Sequence, residues 1–174
     1  PRLTYLTQLL RESLWQYPCV WISRADYRPD IHRPALNYSG AALPDTLSLP
    51  VSGLLHETGW GRPSPPRLPG EPVRLFPGDG PGPGLPFDAL AAIFYLASGY
   101  EAWHEGRYDR FGRYDWAHYP SQAWGLDREP LAHRYAQALW AGLRSCPGGH
   151  TLPTSPPLQA RVEFTVDVDF PWRY

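Results

Sequence analysis

Asp167 and Asp169 stand two residues apart in the run RVEFTVDVDF, residues 161–170 of a 174-residue chain. Val162, Phe164, Val166 and Val168 alternate there with Glu163, Thr165, Asp167 and Asp169. Period-two alternation predicts a strand with one apolar face. Successive side chains of a strand point to opposite faces, so the two aspartates share one. At about 3.3 Å rise per residue they lie roughly 6.6 Å apart along the strand. Two carboxylates so placed suit a divalent metal, or a general base beside a metal ligand. The same residues also read as the exposed acidic face of an edge strand. The histidines, at positions 32, 56, 104, 118, 133 and 150, are scattered and form no ligand set with them.

A second concentration of chemistry follows an apolar run. In residues 87–114, FDALAAIFYLASGYEAWHEGRYDRFGRY, the first half is apolar on nearly every side at helical spacing, which predicts a core helix. Asp88 is its expected N-cap, because a carboxylate accepts from the free N–H groups of the first turn. Gly99 is expected inside that helix. Beyond it, Tyr100, Glu101, Trp103, Asp109, Arg113 and Tyr114 form a candidate binding or docking cluster. One reading is a solvated helix end and a loop held by Arg–carboxylate pairs, each contributing about 0–1 kcal/mol. The other is a surface for a sugar or a protein, with Trp103, Tyr108, Phe111 and Trp116 as its aromatic platform.

The elements that must carry these residues are read from periodicity. Residues 2–16 form an amphipathic helix with Leu3, Leu6, Leu10 and Leu14 as its stripe. Strands are expected at 19–23 (CVWIS), 34–39 (PALNYS), 46–51 and 71–76 (EPVRLF). Pro50 argues for an edge position of the third, since proline cannot donate to a ladder. Residues 59–70 and 77–86 read as Pro/Gly loops. The latter, PGDGPGPGLP, is no phosphate loop, because its prolines remove the backbone donors and no Lys follows. A last helix is expected from about 128 to 145, with Asp127 as N-cap and Pro130 in its first turn. Residues 147–157 are a Pro/Gly/Ser/Thr linker and the best domain boundary. The expected fold is α/β or α+β: a mixed sheet of four to five short strands, about three main helices, and Pro/Gly-rich connections.

Composition limits the function classes. The 174 residues suit one domain with a real core. A formal net charge of -1 gives no general attraction to nucleic acid or to anionic membranes. No run approaches the roughly 20 apolar residues of a membrane span. All 16 basic residues are Arg, and Met is absent. With Pro1 in first place, the expectation is a chain that begins inside a longer reading frame. Cys19 and Cys146 make no metal motif, and each reads as a small buried hydrophobe or a helix-end residue.

The order of the central helix and charged turn, SQAWGLDREPLAHRYAQALW, a Pro-rich linker and VEFTVDVDFPW resembles a family of bacterial proteins. In that family an uncharacterised amino-terminal α/β domain precedes a polysaccharide deacetylase (NodB-like) catalytic domain. The residues that carry the likeness are Tyr100-Glu101, Asp109-Arg110-Phe111-Gly112-Arg113-Tyr114, Pro130 and Thr165-Val166-Asp167-Val168-Asp169. The chain departs from the family pattern at Gly99, where Arg is commoner, and at Ala102, where a second Glu is commoner. It also has Asp-Val-Asp in place of adjacent aspartates.

The resemblance implies an amino-terminal domain over 1–157 and the opening strand of a catalytic domain over 158–174. Asp167 would be the catalytic base and Asp169 a metal ligand. The cofactor would be a divalent metal, zinc or similar, held by the full-length protein rather than by this chain. The implied partners are a downstream catalytic domain in cis and an acetylated glycan, with no nucleic acid and no membrane span. This chain alone would be inactive, and its compartment stays open between cytoplasm and cell envelope. An independent carbohydrate- or protein-binding module built on residues 100–116 is the alternative.

Overall fold

The computed structural model describes residues 1–59, 67–68, 73–105, 107–115, 117, 122, 125, 128–159 and 162. In chain order the elements are α1 (Arg2–Leu9), β1 (Ala35–Asn37), β2 (Thr46–Ser48), β3 (Arg67–Leu68), β4 (Arg74–Leu75), α2 (Ala89–Ala97), α3 (Tyr100–Glu105) and α4 (Leu131–Ser145). The fold class is α+β.

Helix α2 is the centre of the core. Every residue from Ala89 to Tyr95 is buried, as an all-apolar helical run demands. Each fully buried Leu, Ile or Phe there contributes about 1.5–3 kcal/mol. Asp88 caps the helix as expected, its Oδ1 accepting from Ala91 N at 3.0 Å. Its other oxygen accepts from the Tyr38 hydroxyl at 2.7 Å and from Ser52 N at 2.8 Å. The helix does not run through Gly99. It closes at Ser98, and Gly99 takes φ +60, so the chain turns and α3 begins anew at Tyr100. A positive φ is where glycine has no side-chain penalty.

Helices α1 and α4 pack on α2. After α1 the chain widens into a π-helical turn, Leu10–Leu14, closed by Trp15 N donating to Leu10 O at 2.8 Å. Leu6, Leu10 and Leu14 are buried as the stripe predicts, and Leu3 packs partly buried against them. The wider turn also brings Trp15 into the core, where its Nε1 donates to Ala136 O at 3.0 Å. Gln16 then ends the segment at φ +50, a left-handed conformation costing about 1 kcal/mol for a residue with a Cβ. Helix α4 begins at Leu131, three residues later than expected, with Pro130 at its N-cap; Asp127 lies outside the described residues. It stops at Cys146, as the Cys-Pro-Gly-Gly sequence foretells.

Among the described residues the strands form two separate two-stranded sheets rather than one mixed sheet. Parallel β1 and β2 pair Leu36 with Leu47, and antiparallel β3 and β4 pair Leu68 with Arg74. The loop at 77–86 covers the second edge of β2. Ser48 N donates to Pro83 O at 2.8 Å, and Ser48 bridges Gly84 in parallel. A Cβ on Gly84 would lie 1.6 Å from Ser48 O, so only glycine lets the loop come this close. β2 is accordingly buried at all three positions. Residues 19–23 belong to no strand, although their composition favours one. β-propensity expresses packing against neighbouring strands, and within the described residues this segment has none. The loop expected at 59–70 contains β3, while the strand expected at 161–170 lies outside the described residues, Val162 excepted.

Residues 152–159 are tied to the domain rather than hanging from it. Leu152 is buried, and Pro153 O accepts from Trp140 Nε1 at 3.1 Å. Gln159 N donates to Gln16 Oε1 at 2.8 Å, and Gln16 Nε2 donates back to Gln159 O at 3.5 Å.

Candidate functional site

Residues 107–115 fold into a hairpin tied by short-range hydrogen bonds. Asp109 N donates to Arg113 O at 2.7 Å and Asp115 N to Arg107 O at 3.0 Å, with Tyr108 and Tyr114 bridged in antiparallel fashion. The rings of those tyrosines meet edge to face at 6.2 Å. The turn is organised by one carboxylate. Asp109 Oδ1 accepts from Phe111 N at 2.8 Å and Arg113 N at 3.0 Å, while Oδ2 takes Arg113 Nε at 3.1 Å and Nη2 at 3.0 Å. Gly112 supplies the left-handed step at φ +75. The backbone donation from Arg113, then that from Phe111 and the Arg113 side chain, hold the Asp109 carboxyl below the usual carboxylate range.

The tip carries Phe111, one of the aromatic residues expected in a binding platform, beside Arg110 and Arg113. Phe111 is 64% exposed. The guanidinium of Arg110 lies 4.6 Å from the centroid of its ring and that of Arg113 lies 4.8 Å away. A cation over an aromatic ring is attracted by the ring quadrupole, and a guanidinium keeps donors free at its edge. Such a tip presents an apolar ring flanked by positive charge.

The predicted cluster is divided by the fold. Tyr100 is fully buried, its ring against those of Phe94 and Tyr95, with the Arg2 guanidinium 5.2 Å from its centroid. Arg2 also donates to Leu54 O and Gly59 O, so Tyr100 belongs to the joint between α1 and the α2–α3 corner. Glu101 is buried beside it. Trp103 is on α3, its side chain outside the described part. Asp109 and Arg113 build the exposed hairpin, and Tyr114 is half-buried at its foot. Trp116, Asp167 and Asp169 lie outside the described residues.

Among the described residues no group of three or more His, Cys, Asp or Glu is placed to hold a metal ion. Among them, too, no helix is long and apolar enough to cross a membrane. Cys19 and Cys146 are free thiols, each pushed above its ordinary pKa by burial. An open cleft of about 510 Å³ lies between α4 and residues 154–156, with Gln137, Trp140 and Arg144 on its helical wall. Arg144 is engaged there, its Nη1 donating to Thr154 O at 3.3 Å.

A family model described as a family of unknown function (DUF7033) matches residues 1–146, up to the C-cap of α4. No curated protein and no solved structure matches the chain.

Proposed function

The chain belongs to that family of unknown function, and on this premise we propose that it is the non-catalytic amino-terminal domain of a metal-dependent carbohydrate deacetylase. In this reading the domain supports a catalytic domain that follows it, or shapes the access of an acetylated glycan. The observation that carries it is the chain's course after the family match ends. Residues 152–159 run back over α4 and are held at Gln16, so the chain beyond the family match stays fastened to the domain as far as Gln159. The resemblance assigns Asp167 the part of base and Asp169 that of metal ligand. The remaining metal ligands belong, in this reading, to the catalytic domain.

The test is acetate release from an acetylated oligosaccharide. The full-length protein should release it and lose the activity on Asp167→Asn, whereas this 174-residue chain should not. A chelator-sensitive rate from the 174-residue chain alone would overturn the reading.

The hairpin favours a second reading, a binding module for a glycan or protein. Its support is the exposed Phe111 with two guanidiniums close to its ring on a turn fixed by Asp109. Glycan binding by the chain, lost on Phe111→Ala with the fold intact, would favour it over the first.

A further inference from the structure

We propose that the hairpin tip, Arg110 to Arg113, docks on an acidic surface of a partner protein, its Phe111 ring entering an apolar recess and its two guanidiniums meeting carboxylates at the rim. The proposal rests on the reading of the hairpin as a binding module and names its partner as a protein. Every residue from Arg110 to Arg113 is exposed, Phe111 at 64% and Arg113 with a side chain 72% exposed. Just below the tip, Tyr108 is 55% exposed. Aromatic residues and Arg are the types enriched where proteins meet, and Arg and Tyr are prominent among the residues that dominate binding energy there.

Shape favours a protein over a glycan. Sites for small ligands are concave. The tip projects instead, and a Cβ added to Gly112 would have nothing within 4 Å. The open cleft beside α4 takes none of its lining from the hairpin. A projecting ring is covered by a surface large enough to receive it, which a folded protein offers. Charge sets the partner's sign. The Asp109 carboxylate is used inside the turn, by Phe111 N, Arg113 N and the Arg113 guanidinium. Arg110 has no carboxylate partner among the described residues; its guanidinium lies 4.6 Å from the Phe111 centroid. Arg113 gives Nε and Nη2 to Asp109, which leaves its Nη1 donors for a second carboxylate. Guanidiniums meet carboxylates through paired, charge-assisted bonds. The turn is fixed before docking, so little order is lost in binding.

An NMR titration of the 174-residue chain decides it. The probe is a synthetic peptide of repeated Leu-Asp-Glu, compared with the same peptide carrying Asn and Gln in place of the acids and with a trimer of galacturonate. The acidic peptide should shift the Nε–H signals of Arg110 and Arg113 and the Phe111 amide to saturation, leave the amides of α2 unmoved, and bind at least tenfold more tightly than its neutral counterpart. Arg110→Glu and Phe111→Ala should each weaken it at least tenfold. If Arg110→Glu disturbs the Asp109–Arg113 bonds, Arg110→Gln is judged by the same criteria. An acidic peptide that leaves the hairpin signals in place overturns the proposal, as does binding that survives either substitution. Shifts that grow with the concentration of the chain alone overturn it in favour of a second copy. Binding of the galacturonate trimer but not of the peptide overturns it while the binding-module reading stands. Binding of neither sinks both.

Discussion

The Tyr38 hydroxyl donates to Asp88 Oδ2 at 2.7 Å, joining residues fifty positions apart at the N-terminus of the core helix. The same carboxylate caps α2 and receives Ser52 N, so one buried side chain ties together β1's end, the segment after β2 and the helix. Asp88→Ala removes the cap, which costs about 0.5–2 kcal/mol, and strands the buried Tyr38 hydroxyl, at about 1–3 kcal/mol, together with the half-buried Ser52 N. A loss of about 3 kcal/mol or more is expected in denaturant unfolding. Tyr38→Phe, which leaves the cap intact, should cost about 1 kcal/mol.

Gly84→Ala should be among the most damaging changes in the loop at 77–86. The new methyl would meet the backbone oxygen of Ser48, which cannot yield without breaking the bridge to β2. A loss of about 3 kcal/mol is expected from such overpacking. Gly82→Ala meets only the Ser48 hydroxyl, at 3.1 Å, and should cost well under half as much. Equal effects in thermal melts would count against the close approach as the cause.

Tyr135 couples α4 to the strand region. Its hydroxyl donates to Val73 O, and its ring lies 5.0 Å from that of Phe87. Burial raises its pKa to about 12. A tyrosine ionises near pH 10 when unfolded, so between about pH 10 and 12 the unfolded chain binds fewer protons than the folded one. Stability from this group is therefore complete below pH 10 and falls as pH rises through 12. Tyr135→Phe should flatten that alkaline fall and lower neutral stability by about 1 kcal/mol, through the carbonyl left without its donor.

The hairpin should respond at the other end of the scale. The Asp109 carboxyl is depressed in the folded state, so its stabilisation is present above the unfolded value of about 4 and is lost as pH drops through the folded value. The turn should open below about pH 4, visible as a shift of the Phe111 and Arg113 amide resonances, while the amides of α2 stay unmoved. Asp109→Ala should produce the open form at neutral pH.

Local signals were legible where a segment's own residues close the account. Asp88 as a cap, the all-apolar α2, the leucine stripe of α1 and the stop at Cys146 are properties of neighbouring residues, and each forms as its sequence predicts. The sequence also singled out Asp109 and Arg113, whose hairpin is bonded within nine residues. The long-range partners were not legible. Residues 19–23 have the composition of a strand, but a strand exists only with a partner, and within the described residues that segment has none.

The same reason separates what the sequence alone determined from what tertiary structure decided. Helix positions, the cap and the self-bonded turn came from sequence, because i-to-i+4 and turn bonds stay within one segment. That Tyr100 is sealed under Arg2 while Phe111 faces solvent was decided by packing, because both are aromatic residues in one charged run and only their surroundings differ. That Gly84 lies against Ser48 and Gln159 against Gln16 was decided the same way. Contacts across such separations depend on where whole elements settle, and no local pattern encodes them.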